Sequence, residues 1–229
     1  MYDDRGHWNS SLEEMWISAL CRILIGIQKY HHGGAVLISD VGTGLNQKYS
    51  LRYDRLANAL FRAAVHSIKN TSYSDLICEK YLDEEADEIP TGLYLDDACS
   101  QSELTDTNNE ITGCVRFLAS LSRIDGLIWL DSSLKLKAFG VEITIGHDPV
   151  RAFLAQDSRA KKTKKLDLNH FGTRHRSMLR YCGTNPDSLG FVVSQDGDVR
   201  AITQFDDCVL LWDNVRIQSL LNARSVSAE

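Results

Sequence analysis

Short, wholly apolar runs are the feature that most limits what this chain can fold into. Ala35-Val36-Leu37-Ile38 is one such run, with Gly33-Gly34 before it and a turn at Asp40-Val41-Gly42-Thr43-Gly44 after it. A run of this length and composition is typical of a strand that is buried on both faces of a sheet. The sequence therefore predicts a sheet that is covered by other elements on its two sides.

Helical periods and further strand signals alternate around this run. Apolar residues recur at helical spacing from Met15 to Ile27, over 54–68 and over 110–122, and another helix begins near Thr173. Further strands are predicted at 124–130, in a hairpin return at 134–143, and at 189–194, 199–203 and 208–212. This pattern predicts an α/β fold with a mixed central β-sheet and helices on both faces.

Two stretches interrupt the regular pattern. Residues 71–109 are acidic, rich in Ser, Thr and Asn, and short of apolar periodicity, which favours a long surface insertion that is partly mobile. Residues 144–171 are also irregular, with a short helical candidate near 150–154. A chain of 229 residues can form one core, so we predict a single domain over 1–229 with insertions at about 70–109 and 144–168.

The charge of the chain is concentrated in one of these stretches. The formal net charge is −6, and without the ten Asp and Glu residues of 83–110 it becomes +4. There is no long apolar span, no signal-peptide pattern and no Cys-x-x-Cys pair among the six cysteines. The sequence thus predicts a cytoplasmic protein with reduced thiols, without a membrane anchor and without a direct nucleic-acid signal.

The string Gly172-Thr173-Arg174-His175-Arg176-Ser177 carries the clearest chemical signal. Cationic and polar heads in a row make poor core material, but they suit a helix start with Thr173 as N-cap. The free N–H groups and positive dipole end of such a helix, with two guanidiniums added, form a socket for a phosphate chain. The alternative is a solvated helix start with ordinary surface arginines.

Two weaker signals accompany this string. Asp125-Gly126 stands at the start of a predicted strand, where glycine allows another group to approach the backbone closely, although Asp-Gly is also an ordinary turn. The basic run Arg159-Ala160-Lys161-Lys162-Thr163-Lys164-Lys165 can hold phosphates or acidic partners, or form a solvated loop.

Three motifs, taken in order, resemble the diadenylate cyclase domain, the nucleotide-binding fold of the DNA-integrity-scanning and membrane-linked cyclases. They are Ile124-Asp125-Gly126-Leu127-Ile128-Trp129-Leu130, Gly172-Thr173-Arg174-His175-Arg176 and Val192-Val193-Ser194-Gln195. Upstream, Arg22-Ile23-Leu24 and the strand Gly34–Asp40 also resemble that family. The resemblance covers most of the chain except 70–109 and 144–168.

This resemblance implies a domain that binds one ATP and meets a second copy face to face. Each 3′-hydroxyl then attacks the α-phosphate of the opposite ATP, which yields cyclic di-AMP and two pyrophosphates. Asp125 is implied as the catalytic acid that works with Mg²⁺ or Mn²⁺. The implied nucleotide and phosphate contacts are Gly126, Leu127, Gly172, Thr173, Arg174, His175, Arg176 and Ser194.

The sequence departs from the family pattern at two points. Leu127 stands where the family usually has Ala, and Gln195-Asp196 stands where some members have two glutamates. Two functions therefore remain open: synthesis of cyclic di-AMP, or a catalytically silent sensor of a nucleotide or cyclic dinucleotide in a signalling or defence system. Both imply an adenine nucleotide as ligand, and the enzyme also requires a dimer.

Overall fold

The computed structural model describes residues 4–82, 88–149 and 151–218. The chain divides into two compact units: a helical unit, with the described residues up to Ala19 and Arg55–Cys114, and a sheet unit, with Leu20–Asp54 and the described residues from Val115 onward. Helices α1 (Asp4–Gln28) and α3 (Thr91–Ser120) contribute residues to both. None of the helices in the described part of the chain is long and apolar enough to cross a membrane.

The sheet unit is built on a mixed sheet of nine strands. Their order is β2-β4-β3-β1-β7-β8-β9-β5-β6. The β1–β3 and β5–β9 pairs are parallel, and the other neighbours are antiparallel. The strands are β1 Gly34–Ile38, β2 Leu45–Tyr53, β3 Leu127–Leu130, β4 Leu136–Ile143, β5 Ala152–Ala155, β6 Thr163–Lys165, β7 Leu189–Val193, β8 Val199–Phe205 and β9 Cys208–Trp212. The predicted mixed α/β class is confirmed.

Helical elements cover both faces of this sheet around β1. Ala35 and Leu37 belong to a buried cluster that includes Met178 and Leu179 of helix α4 (Thr173–Thr184). Successive strand residues face opposite sides, and on the other side a Cβ added to Gly34 would lie 2.8 Å from Ile27 of α1. All five residues of β1 are buried, as the apolar run predicts.

The helical unit pairs α2 (Arg55–Ile77) with α3. Glu110 of α3 accepts hydrogen bonds from Arg55 Nε at 2.6 Å and from Arg62 of α2. These contacts keep the pKa of Glu110 below its usual value, chiefly through the bond from Arg55. The inner face of α2 is small and apolar, which allows close helix packing, and its buried residues are Leu56, Ala59, Leu60, Ala63 and Ala64.

The prediction that 71–109 lacks regular structure is wrong for the described part of that stretch. Helix α2 continues to Ile77, a π-helical turn spans Cys78–Leu82, and α3 begins at Thr91; residues 83–87 lie outside the described residues. Polar side chains fit into α3 because Thr105, Thr107 and Thr112 donate hydrogen bonds to the carbonyl four residues earlier. The polar composition of α3 therefore leaves it without the apolar periodicity that predicts a helix.

The prediction for 144–171 also needs correction, because this stretch adds two strands to the sheet. The helical candidate near 150–154 is instead strand β5, except for residue 150, which lies outside the described residues. β5 pairs with the open edge of β9, Ala152 with Val209 and Leu154 with Leu211. A four-residue apolar run does not specify helix or strand by itself. Here the run forms a strand because it pairs with the edge of β9. β6 then pairs with β5.

Candidate functional site

A pocket of about 560 Å³ opens at the end of the sheet where β1 and β3 begin. It brings together Asp125-Gly126-Leu127 and Thr173-Arg174, which belong to two motifs that are far apart in the sequence. The remaining lining residues come from β1, β4 and α4, and are Ala35, Val141, Glu142, Ile143, Ser177 and Met178. Five predicted site residues thus share one pocket.

The N-terminus of α4 forms one wall of this pocket. Gly172, and not Thr173 as predicted, is the N-cap, with an extended backbone (φ −65°, ψ 166°), and Thr173 is the first helical residue. Glycine has no side chain that can accept from the N–H groups of the first turn, and no side-chain cap bond forms. The His175 N–H donates to the Gly172 carbonyl at 3.1 Å, while the N–H groups of Thr173 and Arg174 have no acceptor among the described residues and stay open to an anionic ligand. Gly172 itself does not line the pocket.

Arg174 lies across Gly33, just before β1. A Cβ at Gly33 would be 3.2 Å from Arg174 Nη1 and 2.8 Å from the carbonyl oxygen of Val193, and Gly33 has φ +69°. Glycine is therefore required here to let the guanidinium approach the backbone. No residue in the described ranges forms an ion pair or hydrogen bond with the Arg174 side chain, so its charge is available to a ligand.

Arg176 points away from the pocket. Its Nη2 is 3.3 Å from Asp148 Oδ2, and Arg180 Nε donates to Asp148 Oδ1 at 2.6 Å. The pKa of Asp148 is lowered, chiefly by the bond from Arg180. Consecutive helical residues are separated by about 100° around the axis, so Arg174, His175 and Arg176 contact three different groups.

His175 packs towards β8 instead of the pocket. Its Nε2 accepts a hydrogen bond from Arg200 Nη1 at 2.9 Å, while Arg200 Nε donates to Asp213 at 2.6 Å. The Phe171 ring lies 5.7 Å from the imidazole. Burial first, then the charges of Arg200 and Arg174, lower the pKa of His175 to about 4. The imidazole is thus neutral at pH 7 and supports the orientation of the α4 start.

A pH-dependent loss of stability follows from this environment. Between its folded pKa of about 4 and its usual 6.5, His175 binds a proton more readily in the unfolded chain, so the free energy of unfolding falls as the pH drops through this window. His175→Gln should reduce this loss. Unfolding midpoints at about pH 7.5 and about pH 5 test it, with exposed His170→Gln as control. An unchanged pH dependence in His175→Gln would contradict the assignment.

Gly126 is required by the backbone of β4. Its φ is +113°, and a Cβ there would lie 2.4 Å from the carbonyl carbon of Gly140, which itself has φ +61°. The close approach predicted for Asp125-Gly126 is therefore made by the hairpin partner. This contact fixes the turn that presents Asp125, whose side chain is 88% exposed, at the pocket.

The sequence did not reveal two further residues: Glu142, which lines the pocket, and Lys48, which pairs with it. Lys48 Nζ is 2.8 Å from Glu142 Oε1 and 3.9 Å from Asp125 Oδ2. The hydrogen bond with Glu142, and secondarily the charges of both carboxylates, raise the pKa of Lys48. Lys48 lies on β2, a strand without a sequence signal, so its position beside Asp125 was not predictable.

Ser194 lies near Arg174 but does not line the pocket. Its Oγ accepts from the N–H of Asp198 at 3.0 Å, and its own N–H donates to the Asp198 carbonyl at 2.8 Å. These bonds close the β7–β8 turn. The next residue, Gln195, has its backbone nitrogen 3.4 Å from the Cβ position of Gly33, so the turn adjoins the arginine.

The donor set suits a divalent cation only in combination with a ligand. Among the described residues there is no group of three His, Cys, Asp or Glu side chains that could hold a metal. Asp125 and Glu142 supply two carboxylates at the pocket. Mg²⁺ is commonly held by one or two carboxylates together with substrate phosphates, so these residues fit Mg²⁺ or Mn²⁺ if a bound phosphate completes the coordination.

The site combines an exposed carboxylate, a helix N-terminus without a side-chain cap, and a guanidinium that has no ion-pair partner in the described ranges, all around one pocket. Together these groups can bind a phosphorylated ligand and present a carboxylate to it. A scan against protein-family models and a search of the curated proteins both found no match to this chain.

Proposed function

We propose that the sheet unit binds an adenine nucleotide in the pocket between Asp125 and Arg174, with its phosphates at the start of α4. The observation that carries this proposal is the convergence of two motifs, Asp125-Gly126-Leu127 and Thr173-Arg174, on one pocket. The N–H groups of Thr173 and Arg174 and the Arg174 guanidinium supply the positive charge that a phosphate chain requires. The preference for adenine rests on the resemblance to diadenylate cyclases.

The activity we propose is the condensation of two ATP molecules into cyclic di-AMP across a face-to-face dimer. In this reaction the attacking 3′-hydroxyl comes from the nucleotide of the opposite subunit, and pyrophosphate leaves each α-phosphate. Arg174 and the helix N-terminus would balance the charge that develops on the phosphates, the main requirement of phosphoryl transfer.

Asp125 would orient the attacking hydroxyl and accept a hydrogen bond from it. Its 88% exposure suits a group that must meet a nucleotide arriving from a second subunit. A bound Mg²⁺ or Mn²⁺ would neutralise phosphate charge and favour ionisation of the hydroxyl. Asp125 would hold that ion. Glu142 forms an ion pair with Lys48 beside it, and this pair contributes to the charge around the site.

The alternative is a sensor that binds the nucleotide without turnover, and one contact favours it. The Lys48 ammonium forms ion pairs with both Glu142 and Asp125. It therefore places a permanent positive charge next to the carboxylate that a catalytic metal would use. A lysine in this position can bind phosphate as a fixed cation. It provides electrostatic binding without the ionising power of a metal.

Analysis of the products formed by the wild-type protein separates the two functions. With ATP and Mg²⁺ or Mn²⁺, the enzyme should release cyclic di-AMP, identified by chromatography and mass. Its rate should rise faster than linearly with protein concentration while dimers are scarce. ATP binding without product under either metal would replace the enzyme with the sensor, and a failure to bind ATP would contradict both.

A further inference from the structure

A second cavity, of about 390 Å³, lies over strands β8, β9 and β5 of the sheet unit. Thr203 and Leu210, which are cross-strand partners, form part of its floor. Their strand neighbours Ile202 and Leu211 belong to the core cluster around α4. Because successive strand residues face opposite sides, this cavity lies on the face of the sheet away from α4 and from the first pocket.

Aromatic rings form the walls of this cavity. Phe153, Phe205 and Trp212 line it, and Phe205 is 64% exposed although it is a large apolar side chain. Trp212 is held in position because its Nε1 donates to the Asp157 carbonyl at 3.2 Å. Trp212 thus offers a fixed, half-buried face and Phe205 an exposed one, and aromatic faces of this kind are suitable platforms for stacking a planar ring such as a nucleobase.

Two guanidiniums complete the site. Arg151 and Arg159 line the cavity, and neither forms an ion pair with any residue in the described ranges. Residues 151–165 contain six Lys and Arg against one acid, Asp157. That carboxylate accepts the backbone N–H groups of Arg159, Lys161 and Lys162, so it shapes the loop and leaves the arginines for a ligand.

We propose that this cavity binds a nucleoside phosphate unit, with its base against the aromatic walls and its phosphate on Arg151 and Arg159. The unit is either a free nucleotide or one residue of a single-stranded nucleic acid, since both present the same base and phosphate. Aromatic stacking combined with cationic contacts is the recognition chemistry of both ligands. This inference does not depend on ATP binding at the first pocket.

Calorimetric titration with uridine monophosphate, a six-nucleotide oligouridylate and inorganic phosphate tests the proposal on the full chain. The Arg174→Ala variant serves as the background, so that the contribution of the first pocket is reduced and is the same in every comparison. In that background, the double variant Arg151→Ala, Arg159→Ala should weaken binding of the uridine ligands by about tenfold or more. The single variant Phe205→Ala should have an effect of the same size. Phe205→Ala is suited to this test because the ring is mostly exposed, and circular dichroism checks that the variants fold.

Lys164→Ala is the matched control for charge. Lys164 pairs with Leu154, whose side chain packs against the α4 cluster, so it lies on the opposite face of the sheet and should change affinity by less than about twofold. Tighter binding of the oligouridylate would assign the site to nucleic acid, and equal affinity would assign it to free nucleotide. Absence of binding at millimolar ligand, equal binding of phosphate alone, or equal losses in Lys164→Ala would overturn the proposal.

Discussion

Asp125→Asn is expected to lower the rate of cyclic di-AMP formation by about 100-fold or more, while ATP binding is largely retained. Asparagine keeps the shape of the side chain but loses the charge that, in the proposed reaction, would hold a metal and orient the attacking hydroxyl. The fold should be unaffected, because Asp125 is 88% exposed and its nearest ion-pair partner, Lys48, is 3.9 Å away. Initial rates by chromatography and ATP affinity by calorimetry measure the two effects separately.

Asp187→Asn is a suitable control for this substitution. Asp187 is exposed and has φ +64°, a conformation that asparagine tolerates well, and it does not line the pocket. Its activity should match that of the wild type. Product formation by Asp125→Asn at the wild-type rate would remove Asp125 from the reaction and refute its proposed catalytic role.

Gly126→Ala is expected to destabilise the sheet unit by about 4 kcal/mol, since it adds backbone strain to overpacking. Alanine disfavours φ +113°, and its Cβ would lie 2.4 Å from the carbonyl carbon of Gly140. Neither backbone can move without disturbing the β3–β4 pairing of Leu127 with Val141. Denaturant unfolding followed by circular dichroism should show a midpoint well below that of the wild type.

Gly146→Ala provides the comparison for Gly126→Ala. No heavy atom lies within 4 Å of a Cβ added at Gly146, so the unfolding free energy should change by less than about 0.5 kcal/mol. Equal midpoints for the two variants would show that the approach of Gly140 does not constrain the turn before β3.

Strands β1, β3 and β7 to β9 were predictable because their apolar runs are bounded by turn residues and become buried. The site was partly predictable for a related reason. Asp125 precedes β3 and Arg174 begins α4, and the sheet brings these two element ends to one pocket. A motif at the end of an element is positioned by the fold itself, so its location follows once the element is known.

Other features depend on contacts that a single sequence does not display. Strand β2 is almost wholly exposed, and it forms by pairing with β4 without an apolar pattern of its own. Helix α3 carries threonines that satisfy their hydroxyls within the helix. The orientations of His175 and Arg176 depend on Arg200 and Asp148, which are remote in sequence. The single domain with two insertions stays a prediction.

Titration of the protein with ATP, compared between wild type, Arg174→Ala and Arg52→Ala, tests nucleotide binding most directly. Arg52 is an exposed arginine of β2 outside the pocket, and its loss should change affinity by less than about twofold. Arg174→Ala should weaken ATP binding by about 1.5–3 kcal/mol, the range for a hydrogen bond to a charged group. A folded wild type that shows no binding at millimolar ATP, or equal affinity in Arg174→Ala, would contradict the proposed site.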